Sequence, residues 1–320
     1  CILFRMRIFY SIILFFGISF SQSSSLSLYG IGERLYSFDA NSISLGNSRL
    51  FTSNSRGFSL SSPSTYYNNT QANLSMSMSF NKMTSAEIDE LSSNNFNYIS
   101  FGFPITENQY FMLSMNPKFR SNIILREEFN FIGADQSNFD FDDDGEDDPL
   151  KYRNIYDFSG GISEISSSVS SKINDSMSLG FKLGKLFGTS AMEDSLYMYA
   201  VDVDPDGNLT NPDISPSNQV RMNKYNYSSF IYLLDMRFEI LKNNILAFYF
   251  GQSSPLSIKL SSFHKLHNIL SLDYEKLYKV KGYTDYGIGF QSNINSNFGY
   301  ILEFQKYDAF NSLENINMLN

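Results

Sequence analysis

The feature that most constrains this chain is alternation with a period of two residues. Between Asn73 and Phe80, Leu74, Met76, Met78 and Phe80 fall on one side of an extended backbone, and Asn73, Ser75, Ser77 and Ser79 on the other. Met177, Leu179, Phe181 and Leu183 alternate with Ser178, Gly180, Lys182 and Gly184. Tyr232, Leu234, Met236, Phe238 and Ile240 alternate with Leu233, Asp235, Arg237 and Glu239. The pattern returns at Leu246–Phe250, Leu270–Tyr274, Tyr286–Phe290 and Phe298–Phe304. Such segments are strands with one apolar and one polar face. No helical period of 3.6 residues is evident beyond the first twenty or so residues.

Strands are expected near 73–80, 95–103, 110–119, 155–171, 177–187, 227–241, 245–252, 256–263, 269–277, 284–292 and 297–306, eleven in all. The connections sort by length. Short polar turns fall at Pro104–Gln109, Lys172–Ser176, Lys242–Asn244 and Asn293–Ser296, and long polar segments at Arg120–Asn154 and Gly188–Asn226. Short turns on one side and long loops on the other describe a transmembrane barrel with periplasmic turns and extracellular loops. A soluble sandwich, the competing reading, has no reason to sort its loops this way.

The N-terminus supports export. Arg5 and Arg7 precede an apolar run from Ile8 to Phe20, and Ser19-Phe20-Ser21 offers small residues at the positions of a cleavage site. Residues 1–21 therefore read as a signal peptide, and that run is too short to span a bilayer as a helix. Composition narrows the functions. Charged residues make up 18% and aromatics 16%, with 30 Phe and 21 Tyr, which argues against disorder. A net charge of −9 disfavours nucleic acid as a partner. The single Cys excludes an intrachain disulfide framework, a thiolate zinc cluster and a CxxC pair. The two His residues, His264 and His267, lie in what reads as a short turn, and two imidazoles do not complete a metal site. No nucleotide-binding or nucleophile-elbow motif is present, so the expectation is a protein that is not an enzyme.

In lipid every backbone N–H and C=O must be paired, so amphipathic strands of this kind close into a barrel. The apolar faces carry Phe, Leu, Met and Tyr, as lipid contact requires. Lys182, Asp235, Arg237, Glu239 and Glu303 fall on the opposite faces and are expected to line a hydrated lumen. Residues 22–72 lack sustained alternation and are rich in Ser, Asn and Gly. They read as a plug segment inside the lumen, where irregular backbone is tolerated at membrane depth, with a periplasmic tail as the alternative. The barrel then occupies 73–320. An odd strand count leaves an open edge, which predicts a barrel truncated at its C-terminus, unless the count itself is off.

Four phrases carry a resemblance to a known family. They are Ile43-Ser44-Leu45-Gly46-Asn47-Ser48 with Ser62-Pro63-Ser64-Thr65-Tyr66; Phe101-Gly102-Phe103-Pro104-Ile105 with Leu113-Ser114-Met115-Asn116-Pro117; Ser159-Gly160-Gly161-Ile162 leading to Leu186-Phe187-Gly188-Thr189; and Tyr286-Gly287-Ile288-Gly289-Phe290 leading to Tyr300-Ile301-Leu302-Glu303-Phe304. Through them residues 40–310 resemble the long-chain fatty-acid transporter-like outer-membrane proteins, including the PorV-like branch. Ser62-Pro63-Ser64 departs from the Asn-Pro-Ala usual there. The resemblance implies a fourteen-stranded barrel with a plugged lumen, of which eleven strands are visible here. It implies passage or binding of hydrophobic small molecules such as fatty acids. The alternative is a PorV-like barrel that binds protein partners in structural or secretion machinery. Either way the expected place is the bacterial outer membrane, with its lipid as a further partner.

Two acidic stretches stand apart. Asp202, Asp204 and Asp206 occupy positions 1, 3 and 5 of a D-x-D-x-D-G sequence, with Gly207 at the turn, Asn208 next and Asp213 at position 12. Asp140, Asp142 and Asp144 begin a second such run before Gly145, and Asp148 stands at its position 9. This spacing wraps alternate oxygens around one hard cation, so Ca²⁺ is the expected cofactor of the extracellular loops. A solvated acidic surface is the alternative.

Overall fold

The computed structural model describes residues 33–34, 48–51, 59–83, 91–128, 130–133, 150–200, 202–203, 209–210, 217–241, 243–266, 269–293 and 299–308. Thirteen of its strands form one antiparallel sheet. In chain order the elements are β1 (Glu33–Arg34), a 3₁₀ helix (Pro63–Asn68), β2 (Asn73–Met83), β3 (Leu91–Thr106), β4 (Gln109–Arg126), β5 (Asn130–Ile132), β6 (Leu150–Asn174) and β7 (Met177–Ala200). There follow β8 (Asp202–Val203), β9 (Leu209–Thr210), β10 (Ser217–Leu241), β11 (Asn244–Ser253), β12 (Leu256–Leu266), β13 (Ile269–Val280), β14 (Thr284–Asn293) and β15 (Gly299–Asp308).

The topology is a meander in which neighbours in sequence are neighbours in the sheet. β11 pairs with the C-terminal half of β10, and β12 with its N-terminal half. β14 and β13 repeat the arrangement against β11 and β12. Each pair is therefore one long traverse, interrupted at Ser254-Pro255 or at Lys281-Gly282-Tyr283. Pro255 has no N–H to give to a ladder, which explains the first break. The eleven strands expected from sequence thus correspond to nine traverses, and four of the expected strands are halves of two. Among the described residues β2 and β15 are the sheet's edges and do not pair with each other.

β6, β7 and β10 run for 25, 24 and 25 residues. The long polar connections expected at Arg120–Asn154 and Gly188–Asn226 are in large part strand. β4 continues to Arg126, β6 starts at Leu150, β7 reaches Ala200 and β10 starts at Ser217. His264 likewise sits in β12, beside Asp273, rather than in a turn. A transmembrane strand needs only about ten residues, so roughly half of each long strand stands outside the bilayer.

The side-chain pattern marks where the bilayer lies. Phe230, Tyr232, Leu234 and Ile240 on β10 are exposed, as are Phe181 and Leu183 on β7, and Ile165, Val169 and Ile173 on β6. Toward the edges, Phe80 is 72% exposed and Leu302 65%. On the three long strands the same face continues past this band as Ser228, Asn226 and Lys224, opposite Ala191 and Thr189, and then as Glu193 opposite Asp157. An apolar belt about 25 Å tall that gives way to polar residues is the outer surface of a membrane barrel wall.

Backbone irregularities shape the inner face. A register shift between Pro117 and Phe119 turns both Lys118 and Phe119 inward, where Lys118 meets Glu164 and Phe119 packs with Ile162. A bulge is where a mid-strand proline is tolerated. Near the same level Gly160 has φ 117°, and a Cβ there would lie 2.3 Å from the Thr189 carbonyl oxygen.

Candidate functional site

The inner face of the sheet is built from small and charged residues because a second piece of chain lies on it. Residues 48–51 and 59–72 cross this face from the β15 side toward β3 and β4. At one end Ser48 Oγ donates to Glu303 Oε2 at 2.7 Å, and the Arg49 N–H reaches both Glu303 oxygens at 3.2 and 3.1 Å. The buried Arg49 guanidinium bonds Asp285 Oδ1 and Oδ2 at 2.9 and 2.7 Å, and Tyr249 OH at 2.9 Å. Tyr249 OH in turn donates to Asp285 Oδ1 at 2.9 Å. Two strands thereby hold one cation, which satisfies a charge that could not otherwise be buried.

In the middle the wall carboxylate of Asp235 accepts from Ser62 Oγ at 2.7 Å and from the Ser64 N–H at 3.0 Å. Ser178 Oγ donates to the Ser64 carbonyl at 3.0 Å, and Lys182 Nζ to the Leu60 carbonyl at 3.0 Å. Lys182 also pairs with the fully buried Glu164 at 3.0 Å, and Lys118 with the same carboxylate at 2.8 Å. Room for this contact is made by glycine: a Cβ on Gly180 would lie 2.1 Å from Asp235 Oδ1 and 2.2 Å from the Ser64 nitrogen. Gly289 does the same for Phe51, whose ring would be 2.6 Å from an added Cβ.

At the far end Tyr66 packs edge-on against Tyr110, with ring centroids 6.4 Å apart, in a buried cluster with Leu60, Tyr98 and Met112. Leu50 and Phe51 form a second cluster with Leu233, Ala247 and Tyr249. A third cluster belongs to the wall alone. Phe119, Ile162, Leu186, Tyr227, Ile231, Leu256, Ile258, Val280 and Tyr283 form an apolar inner row.

Of the five charges expected to line a lumen, Lys182 and Asp235 are therefore buried beneath the crossing segment, and Glu303 is half-buried and bonded to it. Arg237 is half-buried over the Phe51 ring, 5.6 Å from its centroid, and Glu239 is exposed near the short-turn end. Arg49, Glu164, Asp285 and Lys118 escaped sequence reasoning. Glu164 and Asp285 do fall at polar positions of alternating strands, but nothing local to Arg49 marks its partner. Asp202 lies in β8, opposite Thr210 of β9. Asp204, Asp206, Asn208 and Asp213, Asp140, Asp142, Asp144 and Asp148, and the signal segment 1–21 lie outside the described residues. Among the described residues no group of three or more His, Cys, Asp or Glu is placed to hold a metal ion.

An antiparallel wall with an apolar belt outside and ion-paired polar residues inside defines a β-barrel protein of the bacterial outer membrane. The BamG family model matches residues 3–228 of the 320, and the chain belongs to the BamG family. A solved structure of a Pseudomonas aeruginosa FadL homologue is similar over 87% of this chain and 81% of that chain, at 10% identity and a TM-score of 0.38. No curated protein matches the chain.

Proposed function

We propose that this protein is an outer-membrane barrel, plugged by its N-terminal segment (residues 22–72), that acts by binding protein partners in the assembly of other barrels. The family name, BamG, points to barrel assembly. The observation that carries the reading is the extent of β6, β7 and β10 beyond the apolar belt. About half of each strand forms a rigid wall outside the bilayer, and its outer face mixes Asp157, Glu193 and Lys224 with small polar residues. A mixed-charge surface on regular strands suits protein docking, with specificity from charge complementarity. A PorV-like role would be a variant of the same kind of function.

The test places photo-crosslinking residues at Lys224 and Glu193 of the full chain in its native envelope. Adducts to components of the barrel-assembly machinery, with fewer folded barrels in the outer membrane after depletion of this protein, are expected. Depletion that leaves other barrels at normal levels overturns the reading.

A second reading, passage or binding of hydrophobic small molecules, is favoured by the apolar inner row from Phe119 to Tyr283. Loss of fatty-acid uptake on depletion, with barrel levels unchanged, is its signature. Neither reading involves catalysis. Ca²⁺ binding by Asp202, Asp204, Asp206, Asn208 and Asp213, and by Asp140, Asp142, Asp144 and Asp148, is a further proposal, with an affinity of about 10⁻⁴–10⁻³ M. Calorimetric titration with calcium tests it, and the absence of heat overturns it.

A further inference from the structure

At the short-turn end the inner face bears a partly open cavity of about 180 Å³. That is far more than the ~10–15 Å³ one water needs on the same kind of measure. Thr65 and Asn68 come from the 3₁₀ helix, Ser176 and Ser178 from the start of β7 and its turn, and Arg237 and Glu239 from β10. The lining is thus rich in hydroxyl, amide and charged groups.

Arg237 is the group that asks for a ligand. Among the described residues its guanidinium makes no hydrogen bond and no ion pair; it lies over the Phe51 ring, with Tyr67, Asp235 and Glu239 the groups whose charge it feels. A guanidinium offers five N–H donors in a fixed fork, and leaving them unmet in a half-buried place is costly. The carboxylate that precedes it on the same face, Asp235, is taken by Ser62 and Ser64. The carboxylate that follows, Glu239, lies two residues on, about 6.6 Å along the strand. Among the described residues Glu239 forms no ion pair with Arg237, and its carboxylate accepts from the Asn243 N–H at 3.4 Å. Asp175, also at the cavity, is occupied by Lys172 at 2.6 Å, whose hydrogen bond and charge hold its carboxyl below the ordinary value.

Among the described residues, Arg237 and Glu239 both line the cavity and neither forms an ion pair; they stand two residues apart on one strand, and Thr65, Tyr67, Ser176 and Ser178 add hydroxyls to the lining. A simple anion would meet Arg237 but be repelled by Glu239. A simple cation would meet the reverse. A short molecule with an anionic group at one end and an ammonium at the other answers both.

We propose that this cavity binds a zwitterion of the phosphoethanolamine class, with its phosphate on the Arg237 guanidinium and its ammonium on the Glu239 carboxylate. Planar, forked recognition of phosphate is a strength of arginine. The same chemistry is carried by a free solute and by a phospholipid headgroup at the periplasmic rim.

The test is calorimetric titration of the full chain, in a sugar detergent free of phospholipid, with O-phosphoethanolamine and separately with inorganic phosphate. Saturable binding of phosphoethanolamine, tighter than that of phosphate, is expected. Arg237→Gln weakens it by about tenfold or more, the loss of one charged hydrogen-bonded contact. Glu239→Gln weakens phosphoethanolamine but leaves phosphate binding unchanged or tighter. Ser176→Phe, in the turn, fills the cavity without altering a strand interior and abolishes binding, so the outcome does not hang on the folding of one variant. No saturable heat, binding that survives Arg237→Gln, or phosphate bound as tightly as phosphoethanolamine overturns the proposal. Native mass spectrometry from mixed phosphatidylethanolamine and phosphatidylglycerol micelles separates the sources. Selective retention of phosphatidylethanolamine that Arg237→Gln abolishes assigns the lipid headgroup, and soluble binding without such retention assigns the free solute.

Discussion

Arg49 and Asp285, separated by 236 residues, form a buried two-oxygen ion pair that ties the N-terminal segment to β14. Breaking such a pair leaves a charge buried without its counterpart, at a cost of about 3 kcal/mol or more. Arg49→Met is expected to lower the midpoint of unfolding in detergent by that amount, because Asp285 then loses the cation that offsets its buried charge. The double variant Arg49→Met, Asp285→Leu is expected to recover most of the loss, since both charges are gone. A single variant as stable as the wild type would show that the segment is held elsewhere.

The contact of Asp235 with Ser62 and Ser64 makes a second prediction, with Gly180 as the lever. Gly180→Ala places a methyl group against both the Asp235 carboxylate and the Ser64 nitrogen. The wall backbone is fixed by its ladders to β6 and β10, so the crossing segment is what must move. Hydrogen–deuterium exchange at the Ser64 amide is expected to quicken markedly in Gly180→Ala. Exchange in the β7 ladder itself should stay slow. Asp235→Asn is expected to quicken Ser64 less, because one carbonyl acceptor remains.

The fold class was legible because alternation has one physical cause, a strand between two unlike media. Within the belt, Phe181 and Leu183 or Phe230 to Ile240 announce themselves. Beyond it the wall meets water outside, and the two faces cease to differ in a simple way. Tyr152 to Asn154 and Met192 to Tyr197 are all half-buried except Ser195, which is buried, so that neither face stands out and these parts of their strands read as loops. All eleven expected strands are present, but that four of them are halves of two traverses is not legible, for a related reason. Ser254-Pro255 and Lys281-Gly282-Tyr283 have the composition of turns, but the chain passes straight through them along the same neighbours. A polar inner face is expected for a lumen that also holds a plug, but which positions the plug covers is not legible: Ser178 and Gly180 make room for residues 63–64, and only a contact across more than a hundred residues reveals it.

Gly160 tests the inner bulge level. Its φ of 117° is a conformation that side chains rarely adopt, and a Cβ would collide with the Thr189 carbonyl. Gly160→Ala is expected to cost about 1–3 kcal/mol. The readout is the fraction of heat-modifiable, folded protein recovered from detergent refolding. Ser159→Ala, at the exposed neighbouring position, is the control and should refold like the wild type.

The membrane placement itself can be tested on one strand. Leu234 lies mid-way along the exposed apolar row of β10, 46% exposed, whereas Ser228 lies just beyond that row on the same face. An arginine on the lipid face costs about 2–4 kcal/mol at the bilayer midplane and ~0–1 kcal/mol near the interface. Leu234→Arg should therefore reduce folding into phosphatidylcholine vesicles far more than Ser228→Arg does. In a water-filled setting the order would not hold, since both positions would be solvated alike. Equal folding of the two variants would mean that the belt on β10 does not face lipid, and the depth assigned to the long strands would fall with it.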